Sequence, residues 1–367
     1  MTVATALVSG NDPLPQLAEE AVHQALDKAG LTHANGVLLF LTPEFSRHAQ
    51  QTVTAVARKA QCTQVAGGIA SGVLTESGWT LDRPAAAVMV FGGDLSLNFP
   101  GADDQPVLSY AGGTFPPEWE HTGLRFGGTF GGNFSGSSAH AEPAAWRQSR
   151  LTEQQRCSVH FAGTDIAMGV STGLKLLGKP VLIERCNGYD LEKLGGQLAA
   201  KSLNRVLPPE LRRNTTPQWH HLVAVLIDDE PGENAFSDGS YRPIAIIAAN
   251  ADNSLTLAER VVPGQHLAWA IRQPLAAEND MRQSLDQLAG NTIRPECALM
   301  FSCIGRGPYF YGGEDRDLNA LCERFPDLPI LGTYGTGQIA PANPITGCNN
   351  RQLQNAVVTA LIRRHQE

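Results

Sequence analysis

The chain has 367 residues, 42% hydrophobic and 17% charged, with a formal net charge of −8. That length can bury a large core and points to about two domains. The acidic balance argues against nucleic acid or an anionic membrane surface as partner, because the average field repels both. No apolar stretch approaches the roughly 20 residues of a membrane-spanning helix.

Residues 3–9 read as an apolar strand without the basic start and cleavage pattern of a secretory leader, so the expected setting is cytoplasmic. Residues 14–28 carry Leu17, Ala21, Val22, Ala25 and Leu26 at helical spacing and stop at Gly30. A buried-strand run at 36–41, a helix at 43–59 and a strand at 64–69 follow, the last entering a Gly-rich stretch at 67–73. Residues 85–91 form another apolar run.

The middle of the chain is richer in strands. Residues 124–132 are apolar and Gly-laden, leading into a small-residue loop at 133–141. Residues 157–161 and 166–170 flank Gly163 and read as a hairpin. A strand at 180–184 and a helix at 191–206 come next. Prolines and paired arginines mark 208–218 as the boundary between halves. Strands at 222–227 and 243–249 enclose an acidic loop at 228–238.

Near the C-terminus the opening order returns: strand 265–272, helix 274–290, strand 297–302, helix 314–324, strand 329–331, Gly-rich stretch 332–339 and a last apolar run at 356–362. Phe40 falls opposite Phe301, Gly67 opposite Gly332, and Gly72 opposite Gly337. Five elements in one order point to a duplication. The expected class is α/β (α+β), with two similar halves whose mixed sheets are flanked by helices in a four-layer αββα sandwich.

The Gly-rich stretches place Ser71, Thr129, Ser135, Thr333 and Thr336 where hydroxyls and amides can hold a small polar ligand. Ser302, Cys303, Arg306, Gly332, Tyr334, Thr336 and Gln338 line one side of the expected site, and Gly67, Ser71, Gly128 and Thr129 the other. Arg306, between two glycines, suits a carboxylate or phosphate; an internal or surface ion pair is the competing reading. Cys303 is the one candidate nucleophile or redox thiol, although no His stands within its motif to act as base. No phosphate-binding or dinucleotide pattern is present, and the histidines, including His140, His220 and His221, form no zinc signature. The seven cysteines, Cys348 among them, lack Cys-x-x-Cys spacing, so no metal is expected and most should be buried thiols.

The run from Phe301 to Gly307, followed by 332–341, resembles the C-terminal domain of FIST proteins. Phe126-Gly-Gly-Thr, 170–180 and Cys186-Asn-Gly188 resemble the FIST N-terminal domain. The resemblance implies a stand-alone FIST protein, with an N-terminal domain at 1–207 and a C-terminal domain at 208–367. It further implies an intracellular sensory module that binds a small, amino-acid-like metabolite and signals through a protein partner. A haem-based nitric oxide sensor and a Cys303 enzyme are the alternatives, and no cofactor is expected in the first reading. Gln338 stands where the family is expected to carry Glu, which removes a charge from the site.

Overall fold

A computed structural model of the chain describes residues 2–98, 105–130, 142–212, 221–227, 241–291, 294–341 and 349–365. The loops expected at 133–141 (with Ser135 and His140) and 228–238, residues 213–218 of the expected boundary, His220 and Cys348 lie outside the described residues. The protein is a mixed α+β chain of two compact units, residues 1–172 with 280–367, and residues 173–279.

The first unit repeats one order of elements three times. The first copy runs β1 (Val3–Ser9), α1 (Pro15–Ala29), β2 (Gly36–Leu41), α2 (Ala49–Ala60), β3 (Val65–Ile69), the hairpin β4 (Gly72–Thr75) and β5 (Gly78–Thr80), then β6 (Ala85–Phe91). The second runs β7 (Ser96–Asn98), β8 (Val107–Gly112), a 3-10 turn at Pro117–Trp119, β9 (Arg125–Phe130), the hairpin β10 (Ala145–Arg147) and β11 (Arg150–Leu151), then β12 (Arg156–Ala162). The third opens with β13 (Thr164–Ser171) and is interrupted by the second unit.

That unit holds β14 (Leu174–Leu176), β15 (Val181–Asn187), β16 (Asp190–Leu194), β17 (Gln197–Leu198), α3 (Ala199–Val206), α4 (Pro209–Arg212), β18 (Leu222–Ile227), β19 (Arg242–Ala249), β20 (Leu255–Leu257) and β21 (His266–Arg272). The third copy resumes through α5 (Pro274–Asn291) with β22 (Cys297–Cys303), α6 (Arg316–Arg324), β23 (Ile330–Gly335), β24 (Gly337–Pro341), β25 (Asn350–Leu353) and β26 (Val357–Arg364).

Each copy contributes to a sheet of the same order: β1-β6-β2-β3-β10-β11, β7-β12-β8-β9-β24-β25 and β13-β26-β22-β23-β4-β5. In each, one central pair is parallel (β2 with β3, β8 with β9, β22 with β23) and the other pairings are antiparallel. A parallel pair needs a long crossover, which α2 and α6 supply in the outer copies and residues 113–124 in the middle one. The hairpins are exchanged in a closed cycle. β4–β5 of the first copy completes the third sheet, β24–β25 of the third completes the second, and β10–β11 of the second completes the first.

The registers coincide. Leu39 faces Gly67, Ser109 faces Gly127 and Met300 faces Gly332. A Cβ at these glycines would lie 1.8, 1.9 and 2.1 Å from the carbonyl oxygen of the facing residue, so no side chain fits there. One position further along are Phe40, Tyr110 and Phe301, whose rings meet with centroid separations of 5.0, 6.2 and 6.5 Å. This aromatic triangle is the shared interior of the three sheets. Tyr110 donates its hydroxyl to the Ile69 carbonyl at 2.8 Å, so the one polar ring of the triangle is not left unpaired.

The sequence therefore shows its first and last copies but hides the middle one, and the two face-to-face layers expected of two halves give way to three sheets around one interior. The strand at 265–272 also belongs elsewhere: β13, not β21, is the counterpart of β1. Likewise β12 and β13 are no hairpin, since they join different sheets.

The second unit is a closed antiparallel barrel, β21-β15-β16-β20-β19-β18, with β18 pairing back to β21. Leu191, Leu194, Leu222, Leu226, Ile244, Leu255 and Leu267 are buried in one cluster with Leu203 of α3. The helix expected over 191–206 is a strand first, because Gly195 and Gly196 take φ of 54° and 78° and break the run before α3 begins.

Candidate functional site

Strand alternation divides the sequence-identified residues between the two faces of the third sheet. Ser302 and Tyr334 face α5 and α6, in the buried cluster that holds Met281, Leu285 and Leu318. Phe301, Thr333 and Cys303 alternate to the opposite, interior face. Gln338 pairs with Gly128, and so shares the interior face against which Phe301 leans, 3.2 Å from where a Gly128 Cβ would be. The expected single pocket is thus two settings separated by a sheet.

On the helix side, Ser171, Val357, Ser302, Tyr334 and Gly72 are neighbours in one row across five strands. A buried polar network lies over this row. Arg306 donates through Nε and Nη2 to Asp317 at 2.9 Å each, through Nη1 to the Ser171 carbonyl at 2.9 Å, and through Nη2 to the Ser171 hydroxyl at 2.7 Å. The Ser171 hydroxyl in turn donates a hydrogen bond to Asp280 at 2.6 Å. Asp315 caps α6 by accepting from the Leu318 amide at 2.9 Å, and also accepts the Tyr334 hydroxyl.

The electrostatics follow from burial. Removal from water works against the Arg306 charge, but the adjacent Asp317 carboxylate outweighs it and holds the guanidinium above its ordinary value. Burial, helped by the Asp317 charge, pushes Asp315 up to about 6. Burial likewise raises Tyr334 well above the usual phenol range, with Asp315 adding to it. Arg306 is 2% exposed and turned onto Asp317 and Ser171, so it orders the β22–α6 connection rather than presenting a guanidinium to a ligand. The same geometry bears on Cys303. Its backbone amide is held by the Ala356 carbonyl at 3.0 Å, and its thiol is on the face opposite to Ser302.

The glycines are strand residues rather than loop residues. Gly67, Gly128 and Gly332 lie within β3, β9 and β23, and the close strand and ring contacts account for them. The turns proper are the short pivots through which the hairpins of the first and third copies leave, residues 70–71 and residue 336. Ser71 donates its amide to the Tyr334 carbonyl and Thr336 to the Thr129 carbonyl, both at 3.0 Å, and these are corresponding bonds in two copies. The Thr129 hydroxyl is buried near the Gly337 carbonyl at 3.5 Å.

Among the residues singled out from the sequence, four buried side-chain atoms have no hydrogen-bond partner among the described residues: Oγ of Ser71, Oγ of Ser302, and both Oε1 and Nε2 of Gln338. Burying an amide without partners costs on the order of 1–3 kcal/mol. Corresponding positions in the other copies, Val73 and Ala145, are apolar, so Gln338 is a polar substitution at one of three equivalent places. Sequence reading missed Ser171, Asp280, Asp315 and Asp317; the Asp-Arg-Asp run at 315–317 was the available sign. Among the described residues no group of three or more His, Cys, Asp or Glu could hold a metal ion, and no helix is long and apolar enough to cross a membrane.

Two similar proteins span nearly the same length. One, an uncharacterized protein of Mycobacterium tuberculosis (strain CDC 1551), is 22% identical over 93% of this chain and 95% of its own. Another, an uncharacterized protein of Mycobacterium bovis, is 24% identical over 89% of this chain and 91% of its own. The match to a family begins in α3 and ends with β24, covering part of the barrel and the central strands of the third copy. FIST domains are sensory, ligand-binding domains of signal transduction, and residues 199–341 of this chain match the FIST C domain.

Proposed function

We propose that the protein is an intracellular sensor that binds a small polar, amino-acid-like metabolite at the hairpin pivots and reports occupancy to a protein partner. The observation that supports this reading is Gln338, fully buried with donor and acceptor both unpaired among the described residues. A side-chain amide offers one donor group and one acceptor side by side, the complement of a carboxyl or amide on a ligand. Ser71, Cys303, Thr336 and Gly128 belong to this interior site, while Thr129, the counterpart of Tyr334, supports it from the outer face of β9. Ser302, Tyr334, Gly67 and Gly332 support it from the helix-facing side of the strands, and Arg306 acts as a positioning residue that holds the β22–α6 connection. The FIST N-terminal region is assigned to residues 1–207 and the C-terminal region to 208–367, as sequence regions rather than compact units.

The test is a thermal-shift screen of the twenty amino acids and common organic acids against wild type and Gln338→Leu. A ligand at a hundred times its Kd stabilises by about 2.7 kcal/mol. A shift in wild type that disappears in the variant supports the site. Absence of any shift, or an equal shift in both proteins, removes it.

A further inference from the structure

The middle copy differs from its neighbours on the outer face of its sheet. In the first copy the outward residues of β6, Ala86, Val88 and Val90, are fully buried, and α1 packs over that strand. In the third copy the same positions are Val357, Thr359 and Leu361, all buried. In β12 they are Arg156, Ser158 and His160, by the registers that place Ala111 opposite Arg156 and Ser109 opposite Ser158. The neighbouring strand repeats the change, with Ser109 where the other copies have Leu39 and Met300. Among the described residues no helix stands over this face as α1 stands over β6, and the β7–β8 connection, residues 99–106, is shorter than the fifteen residues of α1.

A groove of about 610 Å³, open to solvent, lies on this face between Trp119 and the β10–β11 hairpin. Its charged lining is Arg147, Arg150 and Arg156 against Glu118 and Glu153. Arg125, which stacks over Trp119 and donates to the lining Ser158 at 3.3 Å, adds a fourth cation. Glu118 is already paired with Arg156. The balance is therefore locally positive in a chain of net charge −8. Exposed Leu151 and the Trp119 edge supply apolar contact at the same place.

We propose that this groove docks an acidic peptide segment of a partner protein. It occupies the face that the other two copies cover with helices, and its cations complement carboxylates on the incoming chain. A small anion fits it less well, since small-molecule sites enclose most of their ligand whereas this groove is broad and open. The surface is independent of the Gln338 site, and either can fail alone.

The test is fluorescence anisotropy on the full chain with a labelled fifteen-residue helix-forming peptide of Glu and Leu, beside the same peptide with Gln for Glu. Expected are binding of the acidic peptide alone, about tenfold weakening between low and moderate salt, and a further loss of about tenfold in Arg147→Glu/Arg150→Glu. Both arginines are exposed, and circular dichroism checks that the variant folds; Arg150→Gln is the milder second variant, with a smaller loss expected. No binding, equal binding of both peptides, or affinity unchanged in both variants overturns the proposal. Displacement by citrate or inorganic phosphate at matching concentration assigns the groove to a small anion instead. A dimer in light scattering that the charge reversal dissociates assigns it to a second copy.

Discussion

Arg306 holds both carboxylate oxygens of Asp317 at 2.9 Å, with both side chains almost wholly out of water. Such a pair is maintained because removing one member strands the other in a low-dielectric interior. Arg306→Met is expected to cost about 3–5 kcal/mol, read as a lower midpoint in urea. The double variant Arg306→Met/Asp317→Asn should recover part of that loss, since it leaves no unpaired charge. Equal loss in the single and double variants would mean that packing, not charge, carries the effect.

Gln338→Leu is expected to raise the stability of the ligand-free protein by about 1–2 kcal/mol, because it replaces two unpaired buried atoms with methyl groups of similar size. The same change removes the donor and acceptor proposed for the ligand. A variant that unfolds more easily than wild type would show that the amide is paired in solution.

Asp315 sets a pH dependence whose sign follows from linkage. Its folded value, about 6, is above its ordinary one of 3.8, so the folded protein binds this proton more tightly than the unfolded chain. The resulting stability is fully present below the unfolded value and is lost as pH rises through about 6. Asp315→Asn keeps an oxygen that accepts from the Leu318 amide, places an NH2 donor where the second oxygen accepts the Tyr334 hydroxyl, which can rotate to accept instead, and cannot ionise. It is expected to exceed wild type by on the order of 2 kcal/mol at neutral pH and to match it near pH 4. Chemical denaturation at the two pH values measures this, and parallel profiles for the two proteins would rule it out.

Gly67→Ala and Gly127→Ala force a Cβ to within 2 Å of a neighbouring strand carbonyl. Each should cost about 3 kcal/mol or more, since backbone must move. Gly290→Ala is the control: nothing lies within 4 Å of its Cβ, it is exposed on α5, and the change should stabilise by about 0.5–1 kcal/mol. Thermal melts of the three variants separate steric glycines from incidental ones. A tolerated alanine at 67 would contradict the close strand approach.

Much of the fold was legible along the chain. The matches of Phe40 with Phe301, Gly67 with Gly332 and Gly72 with Gly337 are the registers that the sheets adopt. The middle copy escaped notice because the helical periodicity that marks the other two is missing from it, and its outer positions read Arg156, Ser158 and His160 where an apolar pattern was sought. The candidate site was legible as a set of residues but not as a geometry. Ser302 and Cys303 are adjacent in sequence and separated by a sheet in space, a consequence of the two-residue strand period. Arg306 could be singled out as unusual, but its partners Ser171 and Asp317 are 135 and 11 residues away.

The sequence by itself determined the local elements, the glycines at the strand crossings and the repetition of β22–α6–β23 after β2–α2–β3, because these depend on spacing and on the steric limits of single residues. Only the tertiary structure decided that the copies number three and that each gives its hairpin to another. It also decided that Gln338 is unpaired among the described residues while Arg306 is fully engaged. The physical reason is that strand exchange and burial depend on pairings between segments far apart in the chain. Local pattern fixes which face a side chain takes within its strand, but not what waits on that face.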